Sequence, residues 1–239
     1  MKMKTRLITV ITALAAVNLA FGGQNVTGTI KLSGSAPSEK NMTKAIAGGD
    51  PYCKKAHAGK TITTTFYKVG DGKELGDVVV YLEGIKGKFD PPAEKPLLDQ
   101  VDCLYNPYVL SVQSNQKIAI RNSDSTLHNV HSFPKPKPGN RGFNFAQVIK
   151  GKVNEKSFSK AEMFIRFKCD VHPWMFAYVS VFDHPYHAVT KEDGSYTLKD
   201  VPPGKYTLVA AHRKGKKLVK KQIEVKGGDL VVDLAVAVK

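Results

Sequence analysis

The sequence predicts an all-β chain, and three observations carry that expectation. Apolar residues alternate with period two along many short stretches, clusters of Gly, Pro, Asn and Asp separate those stretches, and no segment keeps a long helical period. At 239 residues the chain is long enough for one large domain or two small ones. A change of character near residue 183 favours two β-sandwiches, over residues 23–183 and 184–239, behind a leader at 1–22.

The leader reads as a secretory signal. Lys2, Lys4 and Arg6 form its charged end, residues 7–21 are an apolar run, and Ala20-Phe21-Gly22 offers the small residues a signal peptidase inspects. The run is shorter than the ~20 residues that span a bilayer, so cleavage is expected rather than anchoring. No Cys follows it until Cys53, which argues against lipid attachment. No later stretch is apolar enough for a transmembrane anchor, so the expected product is a soluble periplasmic or extracellular protein.

Residues 24–32 alternate as a strand, with Val26, Gly28, Ile30 and Leu32 on one face. Residues 33–60 are polar and rich in Gly, Ala and Lys, and read as an irregular insert with a short helix near 42–47. Strands are expected at 61–69 and 77–82, the second apolar enough to be buried on both faces. A loop carrying Pro91 and Pro92 fills 84–96, and strands at 108–112 and 116–121 lead to the turn Asn122-Ser123-Asp124-Ser125. Beyond residue 133 comes Pro134-Lys135-Pro136-Lys137-Pro138-Gly139-Asn140-Arg141-Gly142, which reads either as a docking surface for an acidic partner or as a stiff solvated loop. The next clear strand places Met163, Ile165, Phe167 and Cys169 on one face, and the same odd parity returns in Ala177, Val179 and Val181.

Between those two strands lies Cys169-Asp170-Val171-His172-Pro173-Trp174-Met175. A C-x2-H alone would be a weak signal, and a Met beside aromatics is usually core filler. Together they offer a thiolate, an imidazole and a thioether in one tight loop. A second imidazole is available upstream in Thr126-Leu127-His128-Asn129-Val130-His131, where His128 is the preferred candidate. Two imidazoles, a thiolate and a weak Met suit a copper ion cycling between Cu(I) and Cu(II); soft sulfur disfavours Mg and Ca, and structural zinc would normally use Cys and His alone.

These two segments, with Phe133, resemble the ligand loops of the cupredoxins, the amicyanin and plastocyanin-like blue copper domains. The resemblance covers about residues 105–183. It implies a Greek-key β-sandwich holding one copper ion per chain through His128, Cys169, His172 and Met175. It also implies that Asn129 ties the two loops together and that His131 stays off the metal. His172 would lie near the surface as the electron's exit, ringed by Pro173, Trp174 and Phe176, although Trp174 equally suits the core.

The segment Asp193-Gly194-Ser195-Tyr196-Thr197-Leu198-Lys199-Asp200-Val201-Pro202-Pro203-Gly204-Lys205-Tyr206-Thr207-Leu208 resembles carboxypeptidase regulatory-like domains. It implies a small transthyretin-like sandwich over about 186–239, with further strands at 217–225 and 230–238. Val26-Thr27-Gly28-Thr29-Ile30 resembles the opening strand of that same family, so strand 24–32 is a candidate to join it. His184 and His187 read either as a second metal pair at the junction or as ordinary turn residues.

Cleavage after residue 22 leaves 33 basic against 21 acidic residues, a net charge of +12. That balance favours a redox partner with an acidic docking face, while the export signal and the lack of any nucleic-acid motif argue against nucleic acid. With Cys169 on copper, Cys53 and Cys103 are left to form a disulfide; the competing reading puts Cys53 and His57 on a second metal. The functional expectation is an exported carrier of single electrons, with a copper-holding chaperone as the alternative. A chaperone would favour Met-rich or His-rich tracts, and only five Met occur. A copper enzyme would need an H-x-H or H-C-H motif, which is absent, so no catalytic activity is expected. An adhesive surface role would leave an intact ligand set unexplained.

Overall fold

A computed structural model describes residues 23–239; the leader at 1–22 lies outside the described residues. The chain opens with β1 (Gln24–Leu32), the short helices α1 (Thr43–Ala47) and α2 (Pro51–Ala56), and β2 (Val78–Glu83). Then come β3 (Leu97–Val101), β4 (Leu104–Asn106), β5 (Val109–Gln113), β6 (Ile118–Asn122), β7 (His128–Phe133), β8 (Asn144–Gln147), β9 (Val153–Lys156), β10 (Glu162–Lys168) and β11 (Phe176–Phe182). The last are β12 (His187–Val189), β13 (Ser195–Val201), β14 (Gly204–His212), β15 (Val219–Val225), β16 (Leu230–Val231) and β17 (Leu234–Val236). The molecule is nearly all β.

Two sandwiches result. The first packs the sheet β5-β11-β10-β7-β8 on the sheet β4-β3-β6-β9, around Leu98, Val112, Ile118, Ile120, Val130, Ile165, Phe167, Ala177 and Val179. The second packs β13, β1, β16 and β17 against β12-β2-β14-β15, around Val26, Ile30, Val78, Val80, Leu198, Leu208 and Val236. β1 pairs antiparallel with β13 and parallel with β16 and β17, which ties the start of the described chain to its end.

The assignment of 23–183 to one domain does not match the pairing. β2 lies between β12 and β14, in the second sandwich. Its both-faced burial has a concrete basis: Val78, Val80 and Leu82 enter that sandwich's core, while Val79 and Tyr81 face a seam with Tyr108, Val109, Tyr178 and Phe182. Hydropathy reports burial but not the identity of the neighbouring strand.

Two further expectations are corrected, and one hairpin was not foreseen. Residues 61–69 form no strand but touch the 40–43 segment through an isolated bridge, Asn41 to Thr63. The hairpin β3–β4 escapes the period-two reading because buried polar residues interrupt it: Asp99 pairs with Arg121 and Ser123, and Gln100 bonds Gln147. In β10 the register shifts between Glu162 and Ile165, with Phe164 at φ 57°. That bulge takes Met163 out of the core and to the seam. Strict alternation holds only from Ile165 to Cys169.

Candidate metal centre

Two segments converge at one end of the first sandwich. β6 ends in the turn 122–127, which delivers His128 as the first residue of β7, and β10 runs directly into Cys169. The loop 169–175 is closed by its own backbone: Cys169 N–H donates to the Met175 carbonyl (3.1 Å) and Met175 N–H to the His172 carbonyl (2.9 Å). A loop fixed at both ends keeps its side chains aimed.

The structure brings His128, Cys169 and His172 together, with donor atoms all within 4.8 Å of one another. His128 Nδ1 lies 3.0 Å from His172 Nδ1, and Cys169 Sγ lies 3.6 Å from His172 Nδ1. Met175 is fully buried in the same core cluster as Cys169. Two imidazole nitrogens and a sulfur facing one point fit a metal ion that takes this donor set.

Asp124 orients the first histidine. His128 Nε2–H donates to Asp124 Oδ2 (2.8 Å), which leaves Nδ1 free for a metal. Asp124 also accepts from the N–H groups of Asp102 and Cys103, both at 2.8 Å, and from the Tyr52 hydroxyl. Burial opposes ionisation of this carboxyl, yet the bonds from His128, Cys103 and Asp102 hold it below the usual carboxylate range. Sequence reasoning assigned Asp124 only to a turn; the available signal was an acid four residues before a candidate ligand.

The thiol is prepared in the same way. Burial alone would push Cys169 up, but hydrogen bonds from His128, His172 and the Asn129 N–H bring it down to about 6. The Asn129 N–H donates to Cys169 Sγ (3.3 Å), and its Oδ1 accepts from the Asp170 N–H (2.9 Å). Asn129 therefore links the two loops.

The surroundings of His172 differ from the expectation of an exposed exit. His172 is only 1% exposed. The insert folds over it: Asp50 caps α2, and Cys53 Sγ lies 3.6 Å from His172 Nε2. Cys53 is bonded to Cys103, so the expected disulfide is present and the Cys53–His57 metal reading is set aside. Trp174 is core rather than patch, since its Nε1–H donates to the Cys103 carbonyl (3.1 Å). Gly49 makes this fit possible; a Cβ there would stand 2.5 Å from the Trp174 ring. The physical reason for the correction is the insert, which covers the imidazole edge with a disulfide.

His131 stands outside the donor group and shares a hydrogen bond with Asp170 (2.9 Å). His187 bonds Ser111 Oγ, and His184 accepts from the Tyr186 N–H. Among the described residues, no cluster of three metal-binding side chains includes either of them.

Residues 183–238 match the family model of the BOS complex subunit NOMO1-like second beta sandwich domain, the same kind of domain as the carboxypeptidase regulatory-like fold. No curated protein matches the chain in sequence. Among solved structures it is similar to a copper-containing nitrite reductase from Thermus scotoductus, at 18% identity and TM-score 0.35, over 42% of this chain and 24% of that one. It is also similar to a purple cupredoxin from Nitrosopumilus maritimus (21% identity, TM-score 0.31, 36% of this chain and 99% of that one). A third similarity is to an oxidized P96G mutant of amicyanin (21%, TM-score 0.33, 38% and 91%). The C-terminal sandwich is thus similar to the NOMO1-like domain, and the structural likeness to cupredoxins extends over less than half of the chain.

Proposed function

We propose that this chain is an exported type 1 copper protein that passes single electrons between redox partners, with one copper ion held by His128, Cys169, His172 and Met175. When bound, copper supplies a one-electron Cu(I)/Cu(II) couple. The observation that carries the reading is the convergence of two Nδ1 atoms and one sulfur on a point, with His128 and Cys169 aimed by hydrogen bonds and His172 buried against the disulfide. The β-sandwich resists rearrangement of these donors. A fixed compromise between the geometries of the two valences keeps the cost of electron exchange low.

The partner in this reading is a redox protein with an acidic docking face, in the periplasm or outside the cell; nucleic acid is not a partner and no catalytic activity is assigned. Among the described residues no helix is long and apolar enough to cross a membrane. A second reading, a copper-holding chaperone, draws support from the burial of His172 beneath the disulfide.

The test is to add Cu(II) to the metal-free protein and record the visible spectrum. Intense thiolate-to-copper absorption at one copper per chain, lost in Cys169→Ser, is the expected result. A colourless complex that retains only Cu(I) would favour the chaperone, and a second tightly held copper would revive an enzyme.

A further inference from the structure

The cap over His172 closes one route out of the site, and the segment next to Cys169 is built differently. Asp170 follows the thiolate directly in the chain. Its carboxylate pairs with His131 Nδ1 (2.9 Å) and with Lys168 Nζ (2.7 Å). The His131 side chain is 29% exposed and lies over Phe133, with ring centroids 4.0 Å apart. Phe133 is itself 41% exposed. From the sulfur, one stretch of backbone and one hydrogen bond therefore reach an imidazole and an aromatic ring at the surface.

The same sheet face is cationic. A groove of about 310 Å³ beside Phe133 is lined by Lys135, Arg166 and Arg213 together with Phe164 and Tyr178, and no carboxylate is among its lining residues. Lys168 lies over the Phe133 ring at 5.3 Å. Asp170, the nearby acid, is already engaged by Lys168 and His131.

We propose that electrons cross at this face, through Asp170 and His131, to a partner protein whose docking surface is acidic; the proposal rests on the copper reading above. Charge complementarity selects the partner and speeds encounter, and one exposed ring gives a small contact suited to rapid separation.

The test uses the Cu(I)-loaded protein and hexacyanoferrate(III), which takes one electron and becomes hexacyanoferrate(II) as the visible band of the oxidised protein grows. The double variant Lys135→Glu/Arg166→Glu is expected to slow this about tenfold at ~0.01 M ionic strength, with the deficit vanishing towards ~1 M as charge is screened. His131→Ala should slow it severalfold at every salt concentration with the visible band unchanged, and His131→Gln should restore part of the rate. Lys199→Glu/Lys205→Glu, an equal charge change on exposed positions of the other sandwich, should do neither.

A second readout needs no copper. Redox-inert, paramagnetic hexacyanochromate(III) added to the metal-free protein should broaden the amide signals of Phe133, Arg166 and Lys168. Unchanged rates in the face variants, with the visible band present, overturn this proposal alone. Faster oxidation of Cys53→Ser/Cys103→Ser, with broadening at Val171 and His172, would overturn it in favour of His172. Anionic vesicles that bind the parent but not the double variant, whose oxidation rate stays normal, would overturn it in favour of a lipid surface. A parent protein with no visible band overturns the copper reading and this proposal together.

Discussion

The two sandwiches share an architecture and differ in what they bury. The C-terminal one has an aliphatic core edged by Tyr186 and Tyr196. The ligand-bearing one buries Asp99, Gln100, Asn122, Asp124, His128, Gln147 and His172 among its apolar side chains. Each buried polar group costs free energy unless it finds a partner, and here the partners form a chain. Gln147 bonds Gln100, Asn122 bonds the carbonyls of Thr126 and Gln147, the Asp124 N–H donates to Asn122 Oδ1, and Asp124 holds His128. A β-sandwich alone supplies a rigid frame. Aiming a ligand requires a second polar framework inside it.

If that contrast is right, the ligand-bearing sandwich should depend on its cross-link and its polar chain in ways the other does not. The largest expected effect is from Cys53→Ser/Cys103→Ser. The bond joins residues 50 apart, and closing a loop of that size is worth about 4 kcal/mol in the chain-entropy account. Calorimetry should show a large loss of stability, carried by the ligand-bearing sandwich. Should both sandwiches instead melt as one before and after the change, the seam of Val79, Tyr108, Val109, Tyr178 and Phe182 couples them, and the contrast between separate regions fails.

A smaller effect is expected at Asp124→Asn. The amide keeps the shape but gives up the charge that fixes His128, so metal affinity should drop by about 10- to 100-fold. Competition with a chelator of known copper affinity measures it. An unchanged affinity would mean that backbone packing alone orients the imidazole.

The smallest effect belongs to pH and to the second sandwich. Burial, then the neighbouring His184, lowers His187 to about 3, and burial lowers His212 to about 4. Both are neutral in the fold, whereas in the unfolded chain each takes up a proton near 6.5. Below that pH the unfolded state binds more protons, so their stabilisation is complete above about 6.5 and is lost as pH falls towards 4 and 3. The urea midpoint should decline over that range, and His187→Gln should flatten the decline. A slope unchanged by that variant would assign the acid sensitivity elsewhere.

Much of this molecule was legible in its residues. Period two marked β1, β5, β6, β11 and the end of β10, because each keeps one face on a core. It missed β3 and β4, where Asp99 and Gln100 are buried by pairing rather than by hydropathy. It misjudged Met163, since a bulge at Phe164 breaks the parity that an ideal strand would keep. The converging donors were visible because C-x2-H and H-N-x-H are local spacings. Asp124 was not, because an acid in a turn has the same sequence signature whether it faces solvent or a histidine.

The strand-rich class, the disulfide by elimination and the three donors that meet were all readable from the residues, since they rest on short-range pattern or simple counting. Only the packing of the sheets puts β2 with the C-terminal strands, closes the insert over His172, and sets His131, paired with Asp170 beside Cys169, at the surface next to basic side chains. Those outcomes depend on contacts between residues far apart in the chain. Which of two apolar or polar faces meets a given neighbour is settled only when whole sheets pack.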